Sequence, residues 1–215
     1  MTIFLEGDKM TLDMPLVFNK RLIIRFDISI KEDEITMKII DKRDAEKKAA
    51  EFYDEHFSST DAIFKGYFAT DLNAILQKLD ISLVIQSLKE YANIVSRADV
   101  SGLLMKNGSE YAIFVEEGDS MERKRFTIAH EIAHKVLNHI DDTKHVSISF
   151  RDDYSSQGTS AEEIAANAFA AVLLMPEKII RHVYTLTSNI VATARYLGVS
   201  DAAARNRLNN LGILK

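Results

Sequence analysis

Two histidines set four residues apart in an apolar segment, His130 and His134, constrain this chain more than any other feature. Ser120 is a good helix N-cap, and the apolar pattern after it predicts a helix from about Met121 to His139. At about 100° per residue, histidines with this spacing lie on one face of a helix, one turn apart. Two such imidazoles can bind one metal ion, and the neighbouring Glu131 can reach water on that ion. The alternative is a helix that carries two surface histidines and a glutamate.

A third protein ligand must be a histidine or a carboxylate, because the 215-residue chain contains six histidines and no cysteine. A metzincin would place another histidine six residues after His134, but that position is Ile140. On a helix that continues to His139, this histidine lies about 180° round from His130 and faces away. His145 lies just beyond the predicted helix and stays open as a ligand.

Glu163 is the better candidate for the third ligand. Ser160 and Glu163 form an S-x-x-E capping box that opens the next predicted helix, which ends near Leu174, before Pro176. Glu163 and Asn167 are four residues apart, so both project from one face of that helix. The carboxylate could complete a site of two histidines and one glutamate, and the amide could orient an imidazole. Alternatively, the Glu163 carboxylate only interacts favourably with the helix dipole. This alternative does not explain Asn167, an amide in an otherwise apolar helix.

The remaining patterns divide the chain into three predicted parts: residues 1–60, 61–180 and 181–215. The predicted strands are Leu16–Phe18, Arg21–Phe26, Ile35–Ile40, Ser82–Leu88, Val100–Met105 and Tyr111–Val115, the last two joined by an Asn-Gly turn. The other predicted helices are Asp41–Phe57, one that begins at Asp71, Glu177–Thr185, Asn189–Leu197 and Ser200–Leu208. The polar segment from Asp141 to Ser160 is predicted to be a mobile loop.

The first residues lack the basic and apolar regions of a signal peptide, and the longest apolar stretch is shorter than the roughly 20 residues that span a membrane. A chain without cysteine also suits a reducing compartment. We therefore expect a soluble, cytoplasmic protein with no membrane partner.

Charge is distributed unevenly along the chain. The net charge is −5, whereas residues 181–215 carry a net charge of +4. Within them Ala194–Ser200 resembles the turn of a helix-turn-helix, so DNA binding by the C-terminal helices is one interpretation. We favour a helical subdomain packed beside the core with solvated arginines, because Arg205 and Arg207 alone make a weak DNA-recognition helix.

Two segments resemble the ImmA/IrrE family of metallopeptidases. Residues 125–134 match the family pattern R-F-T-x-A-H-E-x-x-H, and residues 163–176 match E-x-x-A-N-x-F-A followed by L-L-M-P. The resemblance covers roughly residues 65–215 and includes Ser101–Leu103. Ala133 stands where glycine is frequent in the family, which exchanges one small residue for another.

The resemblance implies a gluzincin-like Zn²⁺ site with His130, His134 and Glu163 as ligands and Glu131 as the catalytic acid/base. We therefore predict an α+β fold, in which a small sheet packs on a zincin-type pair of active-site helices and a helical C-terminal subdomain follows. Residues 61–180 are then the zincin-like metallopeptidase core, and residues 1–60 are an N-terminal extension of short strands and a helix with no assigned role.

The resemblance also implies a function. A family member would be a zinc-dependent endopeptidase that cleaves a specific intracellular protein, such as a helix-turn-helix repressor or an antitoxin-like regulator. Such enzymes use an additional electrophile, for which Tyr154, His145 and His182 are available, and nothing in the sequence selects one of them. The alternative is a catalytically weak or silent member that binds a partner regulator or DNA without hydrolysis.

Overall fold

The computed structural model describes residues 2–6, 9–14, 24–29, 40–89, 100–140, 146–150 and 160–214. The chain divides into two compact units, Met1–Lys38 and Ile39–Lys215. In the first unit, β1 (Thr2–Glu6), β2 (Lys9–Met14) and β3 (Ile24–Ser29) form an antiparallel sheet in the order β1-β2-β3.

The N-terminal strand predictions match this first sheet only in part. The predicted strand Arg21–Phe26 overlaps β3, whereas β1 and β2 were not predicted. Leu16–Phe18 and residues 35–39 lie outside the described residues, and Ile40 is not in a strand. Short strands with mixed polar and apolar residues give a weak sequence signal, because their partners decide whether they form.

The second unit contains a four-stranded mixed sheet. Its strands are β4 (Ile81–Gln86), β5 (Val100–Asn107), β6 (Glu110–Glu116) and β7 (Val146–Phe150), in the order β4-β6-β5-β7. β4 is parallel to β6, and β5 is antiparallel to β6 and β7. The predicted β5–β6 hairpin is confirmed, with Gly108 at a φ of +58° in its turn.

β7 lies inside the segment that the sequence predicted to be a mobile loop, so that prediction is wrong for Val146–Phe150. The five residues read V-S-I-S-F, which alternates apolar and polar residues with the period of a strand. The polar residues on either side of this short run obscure the pattern. The strand pairs with β5 in antiparallel register and extends the sheet by one strand.

The described residues also form helices, most of which start at a side-chain cap. They are α1 (Lys42–His56), α2 (Ser59–Lys65), α3 (Leu72–Lys78), α4 (Met121–Val136), α5 (Ala161–Leu174), α6 (Glu177–Thr187), α7 (Ile190–Leu197) and α8 (Asp201–Asn210). The predicted caps Ser120 and Ser160 accept hydrogen bonds from the backbone N–H groups of Arg123 and Glu163. α2 was not predicted. Among the described residues, no helix is both long enough and apolar enough to cross a membrane.

α5 lies at the centre of the core. It packs against α4 on one side and α1 on another, where the rings of Phe169 and Phe52 are 5.8 Å apart. Ala165, Ala166 and Ala170 are fully buried, and these small side chains let the neighbouring helices approach closely. The sequence prediction placed the residues of α1 in the N-terminal extension. In the structure α1 covers one side of α5, which is rich in alanine and buried on several faces.

The C-terminal helices belong to the same core. Val183, Leu197 and Leu208, from α6, α7 and α8, are buried in it. Arg207 is not solvated, as the sequence suggested for the C-terminal arginines, but is buried, and its Nε donates a hydrogen bond to Met175 O at 3.2 Å. The end of α5 is thereby joined to α8.

Arg125 joins the start of α4 to the turn between α7 and α8. Its Nε donates to Gly198 O at 3.1 Å, and its Nη2 donates to Thr70 O at 2.9 Å. Gly198 has a φ of +66°, and a Cβ on it would lie 2.8 Å from Arg125 Nε. The turn therefore requires glycine both for its backbone conformation and for the space that the guanidinium fills.

Gly102 allows β5 to pass directly over α4. A Cβ on Gly102 would overlap Thr127 Cγ2 and would lie 3.1 Å from Phe114 O and 3.3 Å from Glu131 Oε1. Replacing Gly102 by alanine is therefore expected to overpack the interface and lower the free energy of unfolding by about 1–3 kcal/mol. Denaturant unfolding of the full chain measures this loss.

A double-mutant cycle separates this clash from a general effect of the substitution. Thr127→Ser removes the Cγ2 methyl that the new Cβ would meet, so the double variant should recover part of the stability lost in Gly102→Ala. Strictly additive effects of the two substitutions, or an unchanged free energy of unfolding in Gly102→Ala, would contradict the close packing of β5 on α4.

Candidate metal centre

Two helices bring His130, His134 and Glu163 together in the interior of the second unit. His130 Nε2 lies 2.9 Å from His134 Nε2 and 3.0 Å from Glu163 Oε2. His134 Nε2 lies 3.3 Å from Glu163 Oε1. Both imidazoles are fully buried, and the Glu163 side chain is 14% exposed. Donor atoms of three side chains on α4 and α5 therefore converge on one point.

The donor set fits a zinc ion. Two imidazole nitrogens and one carboxylate are a known ligand set for catalytic zinc, and ligands at about 2.0–2.1 Å from a tetrahedral ion are about 3.3 Å from each other. The observed separations of 2.9–3.3 Å are close to that value. These three residues could hold a metal ion between them.

The backbone and the side chain of Glu163 make different contacts. Its backbone N–H donates to the Ser160 hydroxyl at 3.2 Å, which is one half of the predicted capping box. Its carboxylate, however, turns toward His130 and His134 and not back to the N-cap. The first turn of α5 is thus fixed by the cap while the carboxylate faces the neighbouring helix.

The electrostatics of the cluster favour a cation at its centre. Burial raises the pKa of the Glu163 carboxyl, but hydrogen bonds from His130 and His134 outweigh burial and hold this pKa well below its ordinary value. Burial lowers the pKa of His130, but its hydrogen bond to Glu163 and the nearby charge of Glu131 outweigh burial, so this pKa is raised. The carboxylates thus stabilise positive charge beside the imidazoles.

Asn167 lies behind His130, one turn after Glu163 on α5. Its Oδ1 is 2.9 Å from His130 Nδ1, which places an acceptor where this ring nitrogen can donate. With its proton on Nδ1, His130 presents a lone pair on Nε2 to the point where the three donor atoms meet. The i, i+4 spacing in the sequence predicted that Glu163 and Asn167 project from one face of this helix, and both side chains face His130 in the structure.

His139 is placed differently from the sequence prediction. α4 ends at Val136, and Asn138 adopts a φ of +59°. The chain then turns back, so that His139 Nδ1 lies 3.0 Å from His134 Nδ1 and its side chain is buried. The expectation that His139 faces away was wrong because it assumed three more helical residues. Asn138 was the available signal, since asparagine tolerates this left-handed conformation at a helix end.

Glu131 is fully buried beside the two histidines, on the side of α4 that faces β5. The bare backbone of Gly102 borders its Oε1. Residue spacing does not indicate this contact, because it joins positions 29 residues apart in different elements. The glycine leaves room for the carboxylate between the helix and the sheet.

Of the three candidate electrophiles, His182 lies in the described part of the chain. Tyr154 and His145 lie outside the described residues. His182 lies on α6, where its ring centroid is 5.8 Å from that of Phe68. His182 thus packs against Phe68, a partly buried residue that borders the core.

Comparison with known families agrees with this geometry. A family model described as the IrrE N-terminal-like domain, of the M78 peptidases, matches residues 76–209, which include both helices of the cluster. No curated protein matches the chain. The match spans more than half of the sequence, and the chain therefore belongs to the M78 peptidases of the ImmA/IrrE family, which supports a metallopeptidase-type activity.

Proposed function

We propose that this protein is a zinc-dependent endopeptidase that cleaves a specific cytoplasmic regulator, of the helix-turn-helix repressor or antitoxin-like kind. One observation carries the proposal: two imidazoles and a carboxylate converge within 3.3 Å of one another, next to the buried Glu131. Membership in a peptidase family supports the reaction class. The regulator as substrate follows from the likeness of the two motif segments to the ImmA/IrrE pattern.

Each residue of the site has a distinct task in this reaction. His130, His134 and Glu163 hold the ion, and Asn167 keeps the His130 ring in position. A zinc ion, when bound, supplies Lewis acidity that makes water reactive near neutral pH and polarises a peptide carbonyl. Glu131 takes a proton from the attacking water and passes it to the departing amine nitrogen.

The surroundings suit this proton transfer. Glu131 is buried and is held between α4 and the backbone of β5 at Gly102. Bulk water is excluded from this position, so the carboxylate interacts strongly with nearby charge and does not need to be desolvated during the reaction.

Replacing Glu163 by alanine removes a zinc ligand and is expected to reduce zinc affinity by more than about 100-fold. Loss of a residue that only supports a ligand costs about 10–100-fold. Zinc per chain after dialysis and competition with a chromophoric chelator measure the change. Glu162→Ala is the matched control, since it removes the adjacent carboxylate from the same turn. Equal zinc affinity in the Glu163 and Glu162 variants would exclude Glu163 as a ligand.

Glu131→Gln is expected to keep zinc but to lower the rate of regulator cleavage by about 10²–10⁴-fold, since the amide cannot accept the proton. The test incubates helix-turn-helix regulators encoded in the same genome, one at a time, with wild type, with Glu131→Gln and with chelator-treated protein. Equal cleavage by wild type and Glu131→Gln, or cleavage that survives metal removal, would refute the proposal of a zinc-dependent peptidase. Binding of the regulator by both, with cleavage by neither, would favour the silent binding protein.

Zinc binding at pH 6.5 is expected to release protons. The pKa of His130 is raised above its ordinary value, so more than half of its imidazole is protonated at this pH without metal, and the ion must displace that proton. Apparent zinc affinity should therefore fall as the pH falls and level off above the pKa of His130. Calorimetry in two buffers of different ionisation enthalpy counts the protons, and a binding enthalpy that does not depend on the buffer would contradict this protonation state.

A further inference from the structure

We propose that His139 is a positioning residue for the metal centre, which accepts a hydrogen bond from the Nδ1–H of His134 and so fixes the tautomer and ring orientation of that ligand. The inference rests on the proposed function, because it takes His134 as a zinc ligand through Nε2.

The contact between the two rings has the geometry of a hydrogen bond. The two Nδ1 atoms are 3.0 Å apart, within the ordinary range for a nitrogen donor and acceptor. The ring centroids are 4.9 Å apart with an interplanar angle of 71°, so the rings meet edge to face and do not stack. His139 is 5% exposed, which keeps water from competing for this hydrogen bond.

The positions of the other ring atoms decide which nitrogen donates. A neutral imidazole has one N–H and one lone pair. His134 Nε2 faces His130 Nε2 at 2.9 Å and Glu163 Oε1 at 3.3 Å, so the lone pair must be on Nε2 for an ion to bind there. The proton of His134 is then on Nδ1, and His139 accepts it with its own Nδ1 and carries its proton on Nε2.

His139 and Asn167 serve the two ligand histidines in the same way. Asn167 Oδ1 is 2.9 Å from Nδ1 of His130, and His139 Nδ1 is 3.0 Å from Nδ1 of His134. Each imidazole therefore has its own acceptor on the side that faces away from the cluster. Such outer partners orient ligand rings and make them better donors to the metal.

The backbone at the end of α4 places His139 beside His134. Asn138 N donates to Lys135 O at 3.1 Å and His139 N donates to His134 O at 2.9 Å, which is the hydrogen-bond pattern of a Schellman motif. In this motif the second residue past the cap meets the side chain three residues before the cap. Those residues are His139 and His134 here, so an imidazole pair replaces the usual apolar contact.

The experiment compares two variants of similar size. His139→Leu removes the acceptor, and zinc affinity is expected to fall by about 10–100-fold. His139→Asn can place its Oδ1 near the position of Nδ1, and its zinc affinity should stay within about threefold of wild type. His182→Leu is the control for loss of a partly buried histidine outside the cluster, and it should bind zinc as wild type does. Chelator competition measures all four proteins.

A second readout observes the tautomers directly. Nitrogen NMR of the zinc-loaded wild type should show His134 protonated at Nδ1 and His139 protonated at Nε2. A proton on Nδ1 of His139 would overturn the inference, as would wild-type zinc affinity in a folded His139→Leu. Circular dichroism and thermal unfolding of the metal-free proteins establish folding. Should His139→Leu fail to fold, a loss of zinc affinity of about tenfold or more in folded His139→Asn, or a proton on Nδ1 of His139, would still refute the proposal.

The outcomes also separate this inference from the proposed function. If the wild type does not bind zinc at the cluster, the proposed function fails and the role of His139 fails with it. If the wild type and His139→Leu bind zinc equally well, only the role of His139 fails.

Discussion

The burial of ionisable groups where α4 meets α5 is the constraint on which the rest of the second unit depends. His130, His134 and Glu131 are fully buried, and Glu163 is mostly so. Isolated charges and polar groups are costly in such surroundings, so the two helices must cross where the carboxylate of one meets the imidazoles of the other. The alanines of α5 permit that approach, and α1 and the sheet enclose it.

The parts of this arrangement that depend on local periodicity could be predicted from the sequence. The spacing of His130 and His134, the cap at Ser160 and the i, i+4 pair Glu163 and Asn167 each depend on residues within a turn or two. The structure brings these side chains together as their spacing indicated. The asparagine-glycine turn between β5 and β6 could be predicted for the same reason, because it depends on adjacent residues.

The features that were missed depend on a helix end or on contacts between distant segments. A helix that ends three residues early reverses the direction of His139, and the stop was an asparagine and not the more familiar glycine. The contact of Gly102 with α4 and the burial of Arg207 arise only after the elements pack. The strands β1, β2 and β7 are short, so their pairing partners determine them more than their own residues do.

The turn between α7 and α8 is held from inside the core. Its glycine and flanking helices resemble a DNA-binding element, yet the space that Gly198 leaves is occupied from inside by the guanidinium of Arg125. The same arginine reaches Thr70, whose hydroxyl donates to Leu173 O at 2.8 Å near the end of α5. The C-terminal helices therefore support the two helices of the cluster. A chain shortened before α7 would lose the contacts that determine how these two helices pack.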